Sequence, residues 1–218
     1  MVRLDLHEQE QVNKLKYFWQ DYGRYIVGIV VVAIIAYVSN TLWTLHIQKQ
    51  SQQAALLYAN LDAAAMANDK AQVIDLNTKL QRQFPDTKYA VFASMWAAQA
   101  YAASANFDDA ALNLKWVIDH AKDRGLAAVA RLRLANIYID QKRYTQALEL
   151  MMAKPIVGFE ALYYAKRGDI YLAQGDKQKT VAAYEEVLKH QSSDSPIAQS
   201  VRTKLQLLGV AAAPSFNP

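Results

Sequence analysis

The chain has 218 residues, no cysteine, a hydrophobic fraction of 53% and a formal charge of +4. Without cysteine there can be no disulfide, thiol nucleophile, thiolate zinc site or lipid anchor through a cysteine. The small excess of Lys and Arg is scattered and forms no basic stripe interleaved with aromatics, so nucleic-acid binding is not expected. With 7 Gly and 5 Pro, the chain also lacks the turn residues an all-β domain would need.

Residues 1–24 are charge-balanced and aromatic-rich, and they are expected to be a cytoplasmic N-terminal segment. Val12, Leu15, Tyr17, Phe18 and Trp19 with Lys14 and Lys16 would suit either a short interfacial helix or the plain flank of an anchor. Residues 25–45 follow, with no charged side chain between Arg24 and Lys49. Residues 25–38 (YIVGIVVVAIIAYV) form a wholly apolar heart. The window has the roughly 20 residues that a helix needs to cross a bilayer. The start is too long and too charge-balanced for a secretory signal, and no small-x-small cleavage site follows, so an uncleaved transmembrane helix is expected. Ser39 and Thr41 can bond the preceding helical turn. Asn40 is the costly residue and is expected to face a partner helix or the far interface. Lys14, Lys16 and Arg24 precede the span and only Lys49 follows it closely, which puts the N-terminus inside and the remainder outside.

Residues 46–208 are expected to be a tetratricopeptide-like α-solenoid, so the fold class is all-α. Three segments align on a tyrosine: WAAQAYAASANFDDAALNL, RLANIYIDQKRYTQALEL and KRGDIYLAQGDKQKTVAAYEEVL. A small residue precedes each Tyr by three, in Ala98–Tyr101, Ala135–Tyr138 and Gly168–Tyr171. Nine residues after the Tyr comes Ala110, Ala147 or Thr180. The tyrosines are 37 and 33 residues apart, which brackets the tetratricopeptide period of about 34. Small residues let two helices cross closely, and each pair must stack on another to bury its apolar face. The usual early Trp is replaced by Ser94, Arg131 and Tyr164, and the second repeat is cut short after Met152 and broken at residues 155–158. Upstream, Ala54, Leu57, Tyr58, Leu61 and Ala65 mark one helix. Ala71, Ile74, Leu76 and Leu80 mark a second after a turn at Asn68–Asp69, giving an atypical first pair. Residues 196–208 form a closing helix, and residues 209–218 a flexible tail.

No chemistry-bearing motif emerges. His7, His46, His120 and His190 lack metal-ligand spacing, and there is no phosphate loop, nucleophile elbow or zinc-protease helix. No catalytic residue, metal or cofactor is expected. Solenoids bind through their first helices. The alignment places Phe92, Met95 and Gln99, then Val129, Leu132 and Asn136, then Leu162, Ala165 and Asp169 on that surface. With Asn40 in the membrane, these are the candidate partner-binding residues. Mixed apolar and amide groups suit extended or partly folded polypeptide.

The opening EQEQVNKLKYFWQDYGRYIVGIVV resembles that of the YfgM family, ancillary subunits of the Sec translocon. The shared elements are Glu10, Gln11 and Val12, then Lys16, Phe18 and Trp19, Gly23, and a single span containing Gly28. RLRLANIYIDQKRYTQAL and RGDIYLAQGDKQKTVAAYEEVL also look like that family's last repeats. The resemblance covers nearly the whole chain, with a more aromatic pre-span segment and an Ala-Pro tail as departures. It implies a single-pass protein of the bacterial inner membrane with a periplasmic domain, associated with SecYEG and with a membrane-anchored periplasmic chaperone of prolyl-isomerase type. Such a protein would help pass newly exported, unfolded proteins to chaperones. An envelope scaffold organising cell-wall or division machinery is the alternative.

Overall fold

The computed structural model describes the backbone of residues 6–210 and the side chains of residues 16–210, and among them every regular element is an α-helix. The helices are α1 (Leu6–Met66), α2 (Lys70–Gln83), α3 (Lys88–Ala102), α4 (Phe107–His120), α5 (Arg124–Asp140), α6 (Tyr144–Met152), α7 (Glu160–Gln174), α8 (Lys177–His190) and α9 (Pro196–Leu207). The chain divides into two compact units, Met1–Gln52 and Gln53–Pro218.

The first unit is helical through the expected span. The segment is long and apolar enough to cross a membrane, and none of its apolar window is buried within the protein. Two hydroxyls bond back into the helix, Thr41 Oγ1 to Tyr37 O at 2.9 Å and Thr44 Oγ1 to Thr41 O at 2.8 Å. Such back-bonds remove polar groups that lipid could not solvate. Asn40 is exposed and makes no side-chain hydrogen bond among the described residues. Ahead of the span, Trp19 packs over Gly23, and Phe18 lies 5.3 Å from Tyr22 between ring centroids. The proposed interfacial contributions of Val12, Lys14 and Leu15 lie outside the described side chains.

The second unit is built by repeating one helix-pair turn. At Asn68, Ala105, Lys142 and Gly175 the backbone turns left-handed, with φ of 57, 56, 58 and 80°. The next residue's N–H then reaches back to the carbonyl five residues earlier: Asp69 to Ala64, Asn106 to Tyr101, Arg143 to Tyr138 and Asp176 to Tyr171. That bond satisfies a carbonyl orphaned at the helix end. Asp69, Asn106 and Asp176 then cap the following helix by accepting from its third N–H. The pair made by the end of α1 with α2 therefore carries the same turn as the three repeats legible from the tyrosines. Val210 N–H bonding Leu205 O, with Gly209 at φ 72°, shows that α9 also ends in this way.

Packing follows the spacing. Ala98, Ala110, Ala135, Ala147 and Thr180 are all buried. Thr180 fits where alanine is usual because its Oγ1 bonds Asp176 O at 2.7 Å. One apolar cluster joins α1, α2 and α3, a second runs from α3 to α7, and a third joins α7, α8 and α9. In α2 the buried face is Val73, Leu76, Asn77 and Leu80. Ala71, expected on that face, is exposed. It sits two residues before Val73, about 200° round the helix.

Two polar devices replace missing apolar parts. Ser94 is fully buried in a network linking α2, α3 and α4. Gln81 Nε2 donates to Ser94 Oγ at 2.9 Å, and Asn77 Nδ2 donates to Asn113 Oδ1 at 2.8 Å. A serine at the usual Trp position is tolerated because those amides satisfy it. Where α6 stops short, Arg167 donates Nε–H and Nη2–H to Met151 O, at 2.9 and 2.6 Å. The guanidinium thus caps the truncated helix ahead of Pro155.

At Gly168 a Cβ would overlap the ring of Tyr184, which is fully buried. Gly168→Ala is expected to lower stability by about 1–3 kcal/mol through overpacking. Chemical denaturation of the detergent-solubilised chain checks this, and an unchanged midpoint would contradict the crossing described.

Candidate functional site

The first helices of successive repeats present matching columns of side chains, set by the alignment of Ala98, Ala135 and Gly168. One column is Phe92, Val129 and Leu162. The next is Met95, Leu132 and Ala165, then Trp96, Arg133 and Lys166, then Gln99, Asn136 and Asp169. Between α3 and α5 these residues form an open cleft. Tyr58, Phe92, Met95, Trp96, Gln99, Leu126, Val129 and Arg133 line a space of about 320 Å³. An adjoining space of about 230 Å³ is lined by Met95, Gln99, Arg133, Asn136 and their neighbours. Tyr58 stacks at tilted angles on Tyr89 and Phe92, with centroids 5.7 and 6.1 Å apart. The aromatic wall is thereby fixed from two helices.

The structure thus brings Phe92, Met95, Gln99, Val129 and Asn136 together. Leu132 lines neither space and packs against the central core cluster instead. Its place in the cleft is taken by Arg133, one residue on. The helical turn of about 100° per residue carries Leu132 toward the interior and Arg133 toward the opening. Sequence spacing also missed Tyr58, Trp96 and Leu126. Tyr58 and Leu126 were legible as helical apolar positions, but only packing shows that one side of each remains open.

The third group behaves differently. Asp169 accepts from Tyr184 OH at 2.8 Å and pairs with Lys204 Nζ at 2.6 Å and Lys166 Nζ at 3.2 Å. Lys166 Nζ also donates to Asn136 Oδ1 at 2.8 Å. Asp169 is therefore the hub of a polar cluster tying α7 to α8, α9 and α5. Leu162 stays exposed, and Ala165 is half-buried against the last core cluster. Burial works to raise the Asp169 carboxyl, but the Lys204 and Tyr184 hydrogen bonds and the Lys166 charge outweigh it and hold the group below the usual range. The Tyr184 phenol is pushed upward by burial and then by the carboxylate that accepts its proton.

The family profile of the Tetratricopeptide repeat-like domain matches residues 16–210. A relative from Neisseria gonorrhoeae, named Ancillary SecYEG translocon subunit, is 30% identical over 206 residues, covering 93% of this chain and 98% of that protein. The chain belongs to the YfgM family. The Escherichia coli member with the same name is 26% identical over 204 residues, covering 94% of this chain and 98% of that one. The Haemophilus influenzae member is 26% identical over 196 residues, covering 90% and 94%. Solved tetratricopeptide-like repeats of a Podosopora anserina kinesin light chain superpose with a TM-score of 0.51 at 16% identity, over 75% of this chain and 87% of that one. That likeness concerns fold alone. The family and the N-terminal apolar helix together fit a membrane-anchored protein.

The Asp169 cluster has a defined pH signature. Because the folded carboxyl is depressed, its contribution to stability is present above the ordinary Asp range and is lost as pH falls through it. Urea midpoints are expected to fall as pH drops below about 4. Asp169→Asn is expected to flatten that fall, and an identical pH profile in the variant would refute the assignment.

Proposed function

We propose that this protein is a non-enzymatic adaptor of the Sec export machinery. It is a single-pass protein of the bacterial inner membrane, with residues 1–24 in the cytoplasm, residues 25–45 spanning, and the repeat domain in the periplasm. The observation that carries the reading is the near full-length similarity to proteins named Ancillary SecYEG translocon subunit. The charge distribution supports the orientation, since Lys14, Lys16 and Arg24 precede the span and Lys49 alone follows it closely.

The span would hold the domain beside the channel. Asn40, which has no hydrogen-bond partner among the described residues, supports a lateral contact inside the bilayer, where an unmet amide seeks a polar neighbour. The cleft between α3 and α5 would take polypeptide. Phe92, Met95 and Val129 offer apolar area, and Gln99 and Asn136 offer amides for the backbone of an extended chain. In this reading the protein receives exported, unfolded segments as they leave SecYEG and passes them to a membrane-anchored periplasmic chaperone of prolyl-isomerase type. No cofactor or catalytic step is assigned.

Photoreactive residues at Asn40 and Val129, crosslinked in intact membranes and read by mass spectrometry, test this. Adducts at Asn40 should contain a translocon subunit. Those at Val129 should contain a periplasmic chaperone or an exported chain. Adducts confined to cell-wall or division proteins, with no Sec component, would overturn the adaptor in favour of an envelope scaffold.

A further inference from the structure

We infer that the cleft between α3 and α5 selects polypeptide segments in which a carboxylate side chain lies next to apolar ones, with Arg133 as the selecting group; the inference rests on the adaptor reading of this cleft.

The column Trp96, Arg133 and Lys166 changes character along the domain. Trp96 contributes apolar area. Lys166 is already engaged, donating to Asn136 and pairing with Asp169. Arg133 is exposed and lines both spaces of the cleft. Among the described residues it makes no ion pair, side-chain hydrogen bond or stacking contact. Elsewhere in this domain the guanidinium groups are often in use: Arg167 caps Met151, Arg202 donates to Ser193 O, and Arg143 lies over Tyr138.

An unengaged guanidinium between apolar walls favours one kind of occupant. Among the described residues no second free cation lines either space, so a strand of phosphates has nothing to follow. The aromatic and aliphatic walls, Tyr58, Phe92, Met95, Leu126 and Val129, require a partner that buries apolar area. The remaining charge then calls for a carboxylate beside it, held through the fork of N–H donors that Arg offers. The exposed amide of Gln99 can meet the backbone of the same segment.

The test uses the full chain in detergent and three short fluorescein-labelled peptides that share a Leu-Phe pair and differ in the next two residues, which are Asp, Asn or Lys. Fluorescence anisotropy should show the Asp peptide binding about three- to five-fold tighter than the Asn peptide at low salt, with the Lys peptide weakest. Salt at ~0.5 M should remove the difference. Arg133→Gln should abolish the preference and Arg133→Glu should invert it, while thermal melting stays as in the wild type. Phe92→Ala should weaken all three peptides alike. Equal affinity for the Asp and Asn peptides, with Phe92→Ala still weakening both, would overturn acidic selection and leave the adaptor reading intact. A preference that survives Arg133→Gln would also overturn it. If no peptide binds while Asn40 still crosslinks to the translocon, the cleft is not the binding site and the inference falls without the Sec assignment.

Discussion

Everything in the repeat domain depends on how closely two helices can cross. In the three pairs from α3 to α8 the crossing is set by a residue no larger than alanine on the first helix and a short one on the second, as at Ala98 with Ala110 and Ala135 with Ala147. At Gly168 even a Cβ is excluded, because the Tyr184 ring lies where it would go. Close crossing lets each pair stack on its neighbour through three successive apolar clusters. A single pair could not bury its apolar face, so the stack stabilises its parts cooperatively.

The tight crossing also decides what is left open. First helices turn their small residues inward and a strip of larger ones outward. That strip becomes a cleft between α3 and α5 because Tyr58 and Phe92 buttress one side while α5 presents Val129 and Arg133 on the other. Between α5 and α7 the corresponding positions are tied together by Lys166, Asn136 and Asp169. The domain is therefore apolar and open toward its first repeats, and polar and internally paired toward its last. Such an asymmetry suits a binding surface held against a stable end.

The last helix fits the same logic. α9 ends with the turn found after each earlier first helix, and Lys204 delivers it onto the Asp169 hub. It is a repeat's first helix used as a cap. Its apolar residues Ala198, Val201 and Leu205 cover the face that α7 and α8 would otherwise expose. The near full-length similarity to the Neisseria and Escherichia coli YfgM family members spans this cap together with the anchor.

Much of this was legible in the sequence, for a physical reason: helical period, small residues at crossings and an uninterrupted apolar run are local properties. They determined the all-α class, the apolar membrane-length segment, three repeats and the short α6. Five of the nine residues predicted for the binding strip do line the cleft, because column spacing follows from the repeat. What spacing could not decide was which way a side chain at the edge of that strip leans. Leu132 leans into the core and Arg133 into the opening, an outcome set by the neighbouring helices. Asp169 read as a binding position, yet Tyr184 and Lys204, distant in sequence, make it a hub. The buried Ser94 network escaped for the same reason, as did the left-handed geometry that the expected turn at Asn68–Asp69 shares with the later pairs. Hydrogen bonds across helices and a left-handed φ at a residue other than glycine leave no periodic mark, and only the packed structure decides them.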